Sequence, residues 1–103
     1  DSLRRKIEER GTRNFPEANG RPLYGELTLI ITVDSRGQVV DTEVVRPSKS
    51  SLLDKRAIAI VHAAAPFGPF TSAMRRGADQ LVITSRFKFS RNEGLETTLS
   101  APQ

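Results

Sequence analysis

Between Gly25 and Asp34 apolar residues fall on alternate positions: Leu27, Leu29, Ile31 and Val33 share one face of an extended chain, and Thr28, Ile30 and Thr32 share the other. A period of two over this length specifies a β-strand, whose backbone needs partners on its flanks and whose apolar face needs a cover. The stretch Gln80 to Ser90 repeats the pattern. Leu81, Ile83, Ser85, Phe87 and Phe89 point one way, and Val82, Thr84, Arg86 and Lys88 the other. Apolar-in, polar-out alternation marks a sheet with one wet face.

The first strand runs into Asp34-Ser35-Arg36-Gly37, a turn whose glycine supplies the positive φ that closes many hairpins. A second strand follows from Gln38 to about Arg46. Val39 and Val44 differ in parity, so one unbroken pleat cannot bury both, and a β-bulge near Val40-Asp41 resolves the conflict. Pro47 ends that strand. Ser51, three residues before Asp54, then opens a helix in a near-capping-box pattern. Its apolar stripe is Leu53, Ala57, Ile60, Val61 and Ala64, and Pro66 stops it after Ala65. Pro66-Phe67-Gly68-Pro69-Phe70 makes a rigid aromatic corner, followed by a polar loop through Gly77.

Upstream, Ser2 to Arg10 reads as a short helix capped by Ser2 and ended by Gly11, with Leu3, Ile7 and Arg10 on one side and Glu8 and Glu9 elsewhere. Thr12 to Pro16 reads as extended, and Glu17 to Leu23 as turn-rich, with Asn19-Gly20 and Pro22 as breakers. The order is α-β-β-α-β. The third strand cannot follow the second through a tight turn, so it pairs with the first. The expectation is an α+β domain: a three-stranded antiparallel sheet in the order 2-1-3, two helices packed on one face, and both outer strands as edges. Residues 1–91 form the domain, and 92–103 a tail in which Leu95 to Leu99 make a short fourth strand or stay mobile.

The chain has 103 residues and a formal net charge of +4, enough for one domain with a single core. It contains no cysteine, which excludes disulfides, Cys-ligated metal and thiol catalysis. The only histidine, His62, lies in the second helix without a metal-ligand or catalytic partner at suitable spacing, and reads as a surface residue. Glu8 and Glu9 point about 100° apart on a helix and cannot act as facing carboxylates. Asp34-Ser35-Arg36-Gly37 lacks the later acidic ligands of a calcium loop. No phosphate cradle or nucleophile elbow is present. The expectation is a non-enzyme without cofactor or metal. The basic residues are dispersed, and Phe87 and Phe89 share the core face with Leu81 and Ile83, so no nucleic-acid partner is expected. No apolar run approaches the ~20 residues of a membrane span. The chain starts at Asp1 without a signal-peptide core and reads as a domain cut from a longer protein.

What remains is a protein interface. An unshielded edge at the third strand is a template for an added strand, with Arg86 and Lys88 attracting an acidic peptide. Swapping an edge strand between two copies uses the same physics, so a homodimer by strand exchange belongs among the partners.

In order along the chain stand Asn14-Phe15-Pro16, Tyr24-Gly25-Glu26-Leu27, Asp34-Ser35-Arg36-Gly37-Gln38-Val39, Leu53-Asp54 with Ala57, Ala65-Pro66-Phe67 and Phe87-Lys88-Phe89. This series resembles the C-terminal domain of TonB-family energy transducers. The resemblance implies a periplasmic domain tethered upstream to a single-pass inner-membrane anchor. It implies coupling of an inner-membrane motor complex of the ExbB/ExbD type to outer-membrane transporters for iron chelates, haem or cobalamin. It also implies that the transporter's Ton box docks as an added strand along Thr84, Ser85, Arg86, Phe87, Lys88, Phe89 and Ser90, approached by Asn14, Phe15 and Pro16. Phe15 stands where the family carries tyrosine, and Pro47-Ser48-Lys49 where many members read Ser-Ser-Gly. The tail after Gly94 is placed to fold onto the third strand and shield that edge. The alternative is a TolA-like or generic envelope scaffold that engages no transporter.

Overall fold

A computed structural model describes residues 2–69, 76–77 and 79–100. Helix α1 spans Ser2–Arg13. Two short strands follow, β1 (Glu17–Ala18) and β2 (Arg21–Pro22), then the long strands β3 (Gly25–Asp34) and β4 (Val39–Arg46). Helix α2 spans Ser51–Ala64, and β5 (Gln80–Ser90) and β6 (Gly94–Ser100) complete the order. β1 and β2 form a ladder of their own around Asn19-Gly20, whose positive φ values of 54° and 78° suit a tight hairpin. The main sheet is antiparallel and four-stranded, in the order β4-β3-β5-β6.

Parity explains β4. Val39 pairs with Val33 and Val44 with Leu29, both toward the core, and the register slips between them at Val40. The bulge near Val40-Asp41 is therefore present. A second slip, at Val45, lets Arg46 pair with Thr28 on the wet face. Both bulged valines are exposed. At the hairpin, the Asp34 carboxylate accepts from the N–H groups of Arg36 (2.9 Å) and Gln38 (3.0 Å), and the Gly37 N–H closes the turn onto the Asp34 carbonyl. The Gln38 N–H bond, joined by the Arg36 N–H and guanidinium, holds the Asp34 carboxyl below its ordinary value despite partial desolvation.

The two helices cover one face. Ile7 of α1 and Leu53, Ala57, Ile60 and Val61 of α2 bury against Leu27, Leu29, Ile31, Val33, Ile83, Phe87, Phe89 and Leu95. α2 starts one residue earlier than its sequence cap implies. Ser50, not Ser51, is the N-cap, its hydroxyl accepting from the Leu53 N–H at 3.1 Å, while Asp54 accepts from the Ser48 N–H at 2.9 Å. At the other end, α1 supplies cations to α2 and the chain just beyond it: Arg10 donates to the orphan carbonyl of Ala63 at 3.1 Å and Lys6 to Pro66 O at 3.2 Å. Beyond α2, the Phe67 N–H donates to the Gly37 carbonyl, strapping the corner onto the β3–β4 turn.

Three expectations need correction. The expected order 2-1-3 is present as β4-β3-β5, and Gly94–Ser100 folds back on β5 as the fourth strand that the tail left open; the third strand is therefore not an edge. α1 does not end at Gly11 but continues to Arg13, so Thr12 is helical rather than extended. The reason is tertiary: any Cβ on Gly11 would run into the Leu95 side chain, so the glycine marks close helix–strand approach rather than a helix stop. The expected turn-rich segment before β3 contains the β1–β2 ladder. The Ser2 cap side chain, Phe70 and most of the loop before β5 lie outside the described residues.

Gly37 has φ +84°, and a Cβ there would come within 2.6 Å of Gly68 N, whereas Gly20, at φ +78°, faces open space. Gly20→Ala should cost about 1–2 kcal/mol for the left-handed backbone alone. Gly37→Ala should cost about 2–4 kcal/mol because the Phe67-Gly68 strap must also move. Urea unfolding of both variants measures the difference, and equal losses would remove the strap from the account. Asp34 makes a second prediction. Because its folded pKa is lowered, its contribution is present above the unfolded value of 3.8 and is lost as pH falls through the lower folded value. Asp34→Asn should therefore flatten the acid limb of the stability curve below about pH 4.

Candidate functional site

β5 is the central feature. Its inner flank pairs with β3 over its whole length, from Leu81 opposite Val33 to Phe89 opposite Gly25. Its outer flank, from Thr84 to Ser90, pairs with β6, from Ser100 to Gly94. The docking segment expected from sequence thus has its backbone matched on both sides. Alternation distributes its side chains as anticipated: Ser85, Phe87 and Phe89 are buried, Thr84, Arg86 and Lys88 exposed, and Ser90 half-buried. On the wet face Lys88 lies across from Glu26 on β3 and Glu96 on β6, and Arg86 pairs with Glu26 at 3.3 Å. These exposed pairs are worth at most about 1 kcal/mol and bias charge more than they hold the fold.

β6 is held from outside by α1. The Leu95 N–H donates to Thr12 Oγ1 at 3.1 Å, and the Thr97 N–H to Glu8 Oε2 at 2.7 Å; the Thr97 hydroxyl donates to the same Glu8 oxygen at 3.2 Å. Amides of an edge strand point alternately inward and outward, so Leu95 and Thr97 face α1 while Glu96 and Thr98 face β5. The inward pairs are Lys88 with Glu96 and Arg86 with Thr98. Arg86 and Lys88 therefore turn their own N–H groups toward β6. The β6 edge, which would otherwise template another strand, is capped by side chains.

Asn14, Phe15 and Pro16 sit where the chain leaves α1. Asn14 is exposed, Phe15 half-buried and Pro16 buried. The Phe15 ring meets Phe89 edge-on at 5.5 Å and Tyr24 at 5.9 Å, and Phe87 lies 6.3 Å from Phe89. The structure thus joins the Asn14-Phe15-Pro16 segment to the Ser90 end of β5 through an aromatic cluster. Sequence reasoning missed Glu8, Gly11 and Thr12 as partners of β6. The available signals were Gly94, whose φ is +70°, at the end of an Arg91–Glu93 turn, and the alternation of Leu95, Thr97 and Leu99.

Among the described residues no group of three or more His, Cys, Asp or Glu converges on a metal-sized site, and His62 is exposed on α2. No helix among them is long and apolar enough to cross a membrane. The site's chemistry is that of backbone pairing. The fold defines an α+β module whose last strand is pinned by side chains of its first helix.

The family model for the Gram-negative bacterial TonB protein C-terminal matches residues 14–90. The chain belongs to this family of periplasmic energy-transducer domains. α1 and β6 fall outside the matched residues. No curated protein and no solved structure matches the chain.

One buried group in the site is unmatched. Ser85 Oγ is fully buried without a hydrogen-bond partner among the described residues. Such an orphan carries a desolvation cost of about 1–3 kcal/mol. Ser85→Ala should therefore be neutral or stabilise the domain by up to about 1 kcal/mol in thermal or urea unfolding. A clear destabilisation would reveal a partner for the hydroxyl.

Proposed function

We propose that this domain is the periplasmic adaptor of a TonB-type energy transducer. It grips the Ton box of an outer-membrane transporter as an added strand on the outer flank of β5, where β6 lies in the free chain. The observation that carries the reading is the pairing of that flank with the chain's own final strand. An intramolecular strand can be exchanged for an external one at little net change in hydrogen bonding, because both satisfy the same Arg86 and Lys88 N–H groups.

The energetics suit a reversible grip. About five or six main-chain bonds at ~0.5–1.5 kcal/mol each give roughly 3–8 kcal/mol before ordering costs, which limits a peptide to micromolar affinity at best. β6 reduces the apparent value further by its own occupancy. Phe15, packed on Phe89, forms the end of the groove, and Arg86 and Lys88 favour an acidic segment on the wet side. Exchange of β6 between two copies would satisfy the same flank and is the route to a homodimer.

In this reading the domain is a binding module rather than a catalyst. Upstream segments anchor it to the inner membrane and to an ExbB/ExbD-type motor complex. Strand addition passes proton-motive-force-derived work to transporters of iron chelates, haem or cobalamin.

Titration of the domain with a synthetic Ton-box peptide, followed by amide chemical shifts, tests the reading. Shifts should concentrate on Thr84 to Ser90, Phe15 and β6. Shifts confined to β4, or none, would overturn it and leave the TolA-like scaffold. Arg86→Pro removes an N–H that faces β6 rather than β3. It should weaken the peptide at least tenfold while leaving the β3–β4 hairpin shifts in place, and unchanged affinity in that folded variant would exclude Arg86 from the docking ladder.

A further inference from the structure

We propose that α1 is a clasp that holds β6 on β5, so that the docking flank opens when α1 and β6 part. The inference deepens the functional reading and rests on that reading for the identity of the flank.

Five contacts make the clasp. Thr12 and Glu8 accept the outward N–H groups of Leu95 and Thr97, and Glu8 also accepts the Thr97 hydroxyl. Gly11 lies so close to Leu95 that a Cβ there would stand 3.2 Å from Leu95 Cβ, and a Cβ on Gly94 would stand 3.3 Å from Thr12 Cβ. Glycine at both positions leaves room for the Leu95 side chain against the helix and the Thr12 side chain against the strand.

The clasp is also only lightly anchored in the apolar core. α1 buries one residue completely on its apolar side, Ile7, with Leu3 partly covered. A helix of 12 residues is marginal without tertiary support. Elements with few buried contacts open before the core does. Both halves of the clasp lie outside residues 14–90, the span matched by the family model. When α1 holds, β6 covers Arg86 and Lys88. When it releases, β6 loses its outer partners and the flank of β5 is left to whichever extended segment competes best.

The chain has no cysteine, so the clasp can be locked reversibly. In Gly11→Cys/Leu95→Cys the Cβ separation of 3.2 Å needs only a small outward shift to meet disulfide geometry. The oxidised protein should bind a synthetic Ton-box peptide at least tenfold more weakly than the same protein reduced, and reductant should restore binding. Equal affinity in the two redox states would overturn the clasp. If neither the reduced variant nor the unaltered chain binds any Ton-box peptide, the functional reading fails, and the clasp is judged by hydrogen exchange alone. Thr12→Val in the full chain should speed exchange at Glu96 and Thr98 about three- to tenfold while leaving Ile31 and Ile83 unchanged. Unchanged exchange at Glu96 and Thr98 would overturn it.

Discussion

A central strand must have its backbone N–H and C=O groups matched on both flanks, and in this chain that requirement falls on β5. β3 supplies one flank and cannot be given up, because Leu27, Leu29, Ile31 and Val33 carry the core with it. β6 supplies the other and brings much less: Leu95 is its one fully buried apolar residue, and Thr97 occupies a core-facing position that a larger side chain would fill better. The two pairings thus satisfy similar numbers of amides but differ widely in apolar burial, which is worth about 25 cal/mol per Å². Of the two flanks of β5, the β6 side is the one that costs less apolar burial to open.

The sheet handles its two edges by different physics. β4 is interrupted by bulges at Val40 and Val45, which twist the strand and break the regular spacing that an incoming strand would need. β6 is regular, and its outward Leu95 and Thr97 amides are taken by Thr12 and Glu8. A bulge is permanent, whereas a side-chain cap can be withdrawn. That difference makes the β6 side of the sheet the one suited to exchange.

Much of this was legible in the sequence because it depends on local period. The alternation in β3 and β5, the Asp34–Gly37 turn and the apolar stripe of α2 follow directly from spacing, and the parity clash of Val39 with Val44 located the Val40 bulge. The bulge at Val45 left no such signature, since no apolar pair lies across it. Gly11 misled, because glycine usually ends a helix and here serves contact with Leu95 across the fold. Period alone does not fix β6, because threonine at a buried position blurs the alternation of Leu95, Thr97 and Leu99. The roles of Glu8 and Thr12 could not be read, since a polar helix residue facing solvent and one facing a strand edge have the same local sequence.

The most direct measurement is hydrogen exchange at Glu96 and Thr98 with a docking peptide bound at saturation. If the peptide takes the place of β6, those two amides should exchange at rates of an unstructured chain while Arg86 and Lys88 stay protected. Protection at Glu96 and Thr98 that survives saturation would contradict the exchange of strands on which the account depends.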